Sequence, residues 1–91
     1  MSATVRIPTI LRTYTDGAAE VTVDGATLGD VISDLDSRYG GIAPRVLDDQ
    51  GQLRRFVNVY VDDDDVRFLE GLATPVRDGA SISIIPAVAG G

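Results

Sequence analysis

One stretch of this chain, and only one, carries a helical period, and the segments on both sides of it alternate in twos. From Thr27 to Tyr39 the residues Leu28, Val31, Ile32, Leu35 and Tyr39 recur three and four apart, while Asp30, Ser33, Asp34, Ser37 and Arg38 fall on other faces. Thr27 stands where an N-cap belongs, and Asp30 suits the positive end of the helix dipole. Asp34 and Arg38 are spaced to pair one turn apart, and Gly40-Gly41 stops the helix. Ahead of it, Thr4 to Leu11 reads as a strand that Pro8 ends or kinks, since proline donates no ladder hydrogen bond. Thr15, Asp16 and Gly17 supply a turn, and Ala19 to Asp24 reads as a second strand with Val21 and Val23 on one face, which makes a first hairpin.

After the helix, residues 42–52 lose all period and read as a loop with a helical turn through Val46 and Leu47. Arg54 to Val61 is the clearest strand, with Val57, Val59 and Val61 on one face and Phe56, Asn58 and Tyr60 on the other. The acidic run Asp62 to Asp65 reads as a tight turn into a short strand, Val66 to Phe68, and Ser81 to Val88 is the last strand. A chain of 91 residues has room for one core, placed here in a single domain over residues 1–88 with a flexible tail at 89–91. Two strands, one helix and three further strands fit one α+β layout: a mixed sheet curled around one helix, the β-grasp or ubiquitin-like roll, with the final strand parallel to the first.

Composition narrows the chemistry. The chain has no Cys and no His, which excludes thiol nucleophiles, Ser-His-Asp relays, imidazole bases, zinc fingers and iron-sulfur clusters. All eight basic residues are Arg, against fourteen Asp and Glu, for a net charge of -6, so phosphate backbones and anionic membranes are not its partners. No apolar run has the length of a signal peptide or a membrane span, so a cytoplasmic protein, monomeric when free, is expected. The run Asp62 to Asp65 lacks the central Gly and distal Glu of a calcium loop, and no metal site is expected. The pairs Asp48, Asp49 and Asp34, Asp36 have no partner in sequence that would split their pKa values, and no glycine spacing matches a nucleotide-binding loop. No bound cofactor and no enzymatic activity of its own are expected.

Phe56 and Tyr60 lie opposite the valines, so they either form an exposed docking surface or are covered by residues 42–53. The close of the chain is more specific. After Pro86 the residues Ala87, Val88, Ala89, Gly90 and Gly91 are small and nearly featureless, and the six residues from Pro86, extended, reach about 20 Å, enough to carry a terminal carboxylate into a neighbouring active site. Diglycine directly after the last strand of a β-grasp domain is a much stronger signal than diglycine alone.

On the blocks VRIPTILR (5–12), TLGDVISDL (27–35), RFVNVYVDDDDVRF (55–68) and DGASISIIPAVAGG (78–91), the whole chain resembles the ubiquitin-like sulfur carriers, the MoaD/ThiS group, and the pairing of opening and close resembles its CysO type. The resemblance implies a co-substrate. An ATP-using adenylyltransferase and sulfurtransferase of the MoeZ, MoeB or ThiF kind would adenylate Gly91, and a sulfur nucleophile would displace AMP to leave a C-terminal thiocarboxylate. The acceptor would be a cysteine synthase acting on an activated serine, or another thiolating enzyme. By the same resemblance Gly91 is the reactive residue, while Gly90, Ala89, Val88, Ala87, Pro86 and Ile85 meet the partner and Phe56 and Tyr60 extend that patch. Rival readings are the small subunit of a molybdopterin synthase, a protein modifier, and a plain interaction module. The absence of Lys means the chain cannot build polymers on its own side chains.

Overall fold

A computed structural model describes residues 2–54 and 57–86, with the backbone alone of Pro86. Five strands are present: β1 (Ser2–Arg6), β2 (Glu20–Asp24), β3 (Val57–Val61), β4 (Asp64–Asp65) and β5 (Ala80–Pro86), with helices α1 (Leu28–Tyr39) and α2 (Ala43–Val46) between β2 and β3. They form one sheet in the order β2-β1-β5-β3-β4. β1 pairs antiparallel with β2, setting Val5 opposite Val21, and parallel with β5, setting Val5 opposite Ile82. β5 pairs antiparallel with β3, so that Ile82 faces Val61 and Ile84 faces Val59. The expected mixed sheet with parallel first and last strands is therefore the observed one.

The alternation decides which face is buried. Ala3, Val5, Val21, Val23, Val57, Val59, Val61, Ile82 and Ile84 line one face and join Leu28, Val31, Ile32 and Leu35 of α1 in a single core. Each large side chain so buried contributes about 1.5–3 kcal/mol relative to exposure. Thr27 caps α1 as expected, its Oγ1 accepting from the Asp30 N–H at 3.3 Å, and Gly40 closes it. Tyr39 departs from the helical pattern: as the last residue of α1 it turns outward and is exposed. Residues 42–52 hold the helical turn expected there, as α2, with Ile42 and Val46 buried in the core.

Residues 9–11, the end of the first expected strand, and Val66–Phe68, expected as a short strand, are 3-10 helix instead. β1 ends at Arg6, and Thr9–Thr15 turns as a 3-10 helix behind Pro8, whose carbonyl accepts from the Leu11 N–H at 2.9 Å. Leu11 and Thr15 are its buried residues, and the Thr15 hydroxyl donates to the Ala18 carbonyl at 2.9 Å. Val66–Phe68 is likewise a 3-10 turn, capped by Asp65, whose Oδ1 accepts from the Arg67 N–H at 2.9 Å. The short strand falls earlier, on Asp64–Asp65. The first half of the acidic run, Asp62 and Asp63, is the expected hairpin turn. Asp62 and Asp63 take φ of 51° and 78°, the primed-turn geometry that matches strand twist and that Asp tolerates. Asp62 is fixed by the Ser81 N–H at 3.0 Å and Arg77 Nε at 3.2 Å.

Gly25 permits the tight entry into α1. A Cβ there would lie 2.6 Å from the Val31 nitrogen and 2.8 Å from its Cγ2, so the backbone itself would have to move. Gly25→Ala is expected to destabilise the fold by about 1–3 kcal/mol, seen as a lower urea midpoint. An unchanged midpoint would contradict the packing at this corner.

Two carboxylates tie α1 and β5 to the sheet's start. Asp34 accepts from the Asp24 N–H at 2.9 Å and from Arg38 Nε at 2.8 Å, and these bonds hold its pKa below the ordinary value. Asp78 is lowered by the Ser2 N–H at 2.9 Å and then by the Ser2 hydroxyl. Depressed folded-state pKa values stabilise above the unfolded value, about 3.9, and that stabilisation is lost as pH falls through the folded value. The urea midpoint is expected to hold from neutrality to about pH 5 and to fall below about pH 4. The fall should be shallower in the Asp34→Asn, Asp78→Asn double variant, and an equally steep acid limb there would refute these assignments.

Candidate functional site

β5 is the strand that leads toward residues 87–91, so its surroundings decide what a partner meets. On the face away from the helix, strand register places Glu20, Arg6, Ser83, Tyr60 and Asp65 in one row across the sheet. One step toward the end of β5, Ile85 stands opposite Asn58. Ile85 and Tyr60 thus share the outer face as diagonal neighbours, about 7–8 Å apart by sheet geometry. Ile85 is 49% exposed, an apolar side chain open to solvent beside the root of the tail. Tyr60 is half-buried, between the two expectations of exposed and covered.

Pro86 closes β5 with its backbone opposite Val57. Phe56, Ala87, Val88, Ala89, Gly90 and Gly91 lie outside the described residues. At the adjoining end of β3, Arg67 crosses the strand: its Nη1 donates to Asn58 Oδ1 at 2.9 Å and its Nη2 to the carbonyls of Val57 and Arg54 at 2.8 and 3.0 Å.

Sequence reasoning missed the other side of β5. There a cavity of about 250 Å³ opens between the first hairpin and the last strand, walled by Ile7, Pro8, Ser83 and Ile85 and flanked by Arg6 and Arg12. Arg12 is steadied by Nε donating to the Ile7 carbonyl at 3.1 Å. Ile10, in the same 3-10 helix as Arg12, is 58% exposed. The signal was hidden because Thr9–Thr15 has the β-branched composition of a strand, and only the turn behind Pro8 brings Arg12 over Ile7. A larger groove, about 680 Å³, lies at the opposite end of β3 and β5 among Val61, Asp62, Leu69, Pro75 and Val76. Among the described residues, none of the expected site residues lines it.

Among the described residues no group of three His, Cys, Asp or Glu could hold a metal, and no helix is long and apolar enough to cross a membrane.

Comparison with known proteins agrees with this geometry. Residues 5–91 match the family model described as the ThiS family. The sulfur carrier protein CysO of Mycobacterium tuberculosis (strain ATCC 25618 / H37Rv) is 57% identical over 93 residues, spanning all of both chains. The crystal structure of the Amycolatopsis orientalis BexX/CysO complex contains a chain that superposes with a TM-score of 0.92 at 52% identity, covering 98% of this chain and 99% of that one. The crystal structure of Mycobacterium tuberculosis CysO gives a TM-score of 0.91 at 56% identity, covering 94% and 99%. A β-grasp sheet with an exposed isoleucine at the root of its tail, matched from end to end by such relatives, belongs to the ThiS family of ubiquitin-like sulfur carriers, in its CysO type.

Proposed function

We propose that Gly91 is the residue that carries the sulfur. An activating enzyme attacks ATP with the Gly91 carboxylate, forming an acyl adenylate and releasing pyrophosphate. A sulfide equivalent then adds to the activated carbonyl, AMP leaves with the bonding pair, and a C-terminal thiocarboxylate remains. Its sulfur is nucleophilic and displaces the leaving group of an activated serine held by a cysteine synthase. ATP is consumed by the activating partner, and the carrier binds no cofactor of its own.

The observation that carries this reading is the end-to-end likeness to sulfur carrier protein CysO in a chain that closes in PAVAGG. Residues 1–88 act as the domain and 89–91 as the tail. Pro86, Ala87, Val88, Ala89 and Gly90 thread the partner's channel, while Ile85 docks against its mouth and Phe56 and Tyr60 extend the contact. The carrier works in the cytoplasm, as a monomer between encounters. A CysO chain in complex with BexX supports a carrier that docks on partner proteins, and another thiolating enzyme is the second acceptor class beside the cysteine synthase. Intact mass tests the central step. Incubated with its activating enzyme, ATP and a sulfide source, the protein should exchange one oxygen for sulfur, and omission of ATP should prevent it. An unchanged mass beside a demonstrably active enzyme would leave the interaction-module reading in place.

A further inference from the structure

We propose that the cavity between Arg12 and Ile85 receives carboxylate side chains of the enzyme that activates the tail, so that charge pairing as well as apolar contact sets that encounter. The proposal rests on the sulfur-carrier reading above and names the chemistry of the partner's face.

The chain carries a net charge of -6, yet among the described residues no carboxylate lines this cavity. Arg6 and Arg12 flank it. Arg12 is half-buried, its Nε is engaged by the Ile7 carbonyl, and among the described residues its two Nη groups meet no carboxylate. The fork is thus oriented and its bidentate edge is open, the geometry that suits a carboxylate best. Three other arginines are committed, Arg38 to Asp34 and Asp24, Arg77 to Asp62, and Arg45 over the Tyr14 ring, while Arg54, its Nε on the Pro44 carbonyl, lines a cavity that already holds Asp36, Asp48 and Asp49. Arg6 meets Glu20 only at 3.6 Å, with both side chains more than half exposed, a pair that contributes little and can be exchanged for a partner's acid.

Location gives the pair its meaning. Ser83 and Ile85 in the cavity wall belong to the strand that leads into residues 87–91, so a partner anchored here stands within reach of the tail. The exposed Ile85 supplies an apolar anchor in the cavity wall between the two arginines, with a second exposed isoleucine, Ile10, in the 3-10 helix that carries Arg12, the combination of apolar core and charged rim found at protein interfaces. A free phosphate would also suit two arginines. The flanking isoleucines favour a protein surface, and the test separates the two.

The test is ATP–pyrophosphate exchange by the activating enzyme as a function of carrier concentration, with thermal melts of every variant. Arg12→Glu should raise the carrier KM about tenfold or more with kcat within about twofold, because reversed charges at an interface weaken association first. Arg12→Lys should restore most of the loss, and Arg77→Glu, equal in charge change but at the far end of β5, should stay near wild type. The wild-type KM should rise with salt more steeply than that of Arg12→Glu. If Arg12→Glu melts early, Arg6→Glu, which alters a side chain 67% exposed, should still raise the carrier KM by about threefold. Equal KM values for Arg12→Glu and Arg77→Glu would overturn the proposal, as would a rise in the KM for ATP in place of that for the carrier. Absence of exchange with the wild-type chain would overturn the carrier reading and this proposal together.

Discussion

Removal of Gly91 is expected to abolish thiocarboxylate formation, with no oxygen-to-sulfur exchange in the intact mass under conditions that convert the wild type fully. Adenylation acts on a carboxylate that must meet the ATP α-phosphorus at near-attack distance, about 3–3.5 Å. Deleting one residue withdraws the carboxylate by about 3.5 Å, a whole contact distance. Misplacement of about 1 Å already costs on the order of a hundredfold in rate, so a full residue removes the reaction from measurement. Gly91→Ala tests the second requirement, that the backbone come close with no Cβ, and should retain the carboxylate yet react on the order of a hundredfold more slowly. The melting curve of the truncated chain should overlay the wild type, since the buried core of the described residues ends at Ile84. Conversion of the truncated chain at the wild-type rate would sink the assignment of Gly91.

The second large effect is on stability. Ile82 is 1% exposed and stands between Val5 of β1 and Val61 of β3 at the centre of the sheet. Truncation to Ala removes its share of transfer free energy and leaves a void that strands fixed on both sides cannot collapse into. Ile82→Ala is therefore expected to cost about 2–5 kcal/mol, a large part of the roughly 5–15 kcal/mol that a domain has. Ile82→Val should cost about 0.5–1.5 kcal/mol. Urea unfolding reads both as shifts in midpoint at constant slope. A loss below about 1 kcal/mol for the Ala variant would mean that the centre of the sheet is less tightly packed than the structure shows.

The sequence carried the helix and the principal strands because each has one dominant period. Leu28, Val31, Ile32 and Leu35 repeat as a helix must, and Val57, Val59 and Val61 alternate as a half-buried strand must. Thr9–Thr15 and Val66–Phe68 escaped because short 3-10 turns have no period long enough to detect, and their Ile, Thr, Val and Phe residues favour strands locally. What overrode that preference was tertiary: Leu11 and Thr15 reach the interior only from a helical turn. Ile85 was named from the family resemblance, and the structure leaves it exposed while its neighbour Ile84 is buried. The cavity beside it was not readable at all, because it joins Arg12 to Ile85 through the parallel pairing of β1 with β5, and no local pattern encodes a contact between residues so far apart in the chain.

The central position of β5 bears on how the tail can be handled. β5 has a hydrogen-bonded neighbour on each side, β1 in parallel and β3 in antiparallel, whereas β4 is an edge strand of two residues. Amide hydrogens of Ile82 and Ile84 should therefore exchange with solvent only through global unfolding, while those of Asp64 and Asp65 exchange through local opening. A pull applied along residues 87–91 loads both ladders of β5 in shear, with every bond sharing the force, instead of unzipping an edge one bond at a time. The domain would meet such a pull as a fixed mooring and not yield strand by strand.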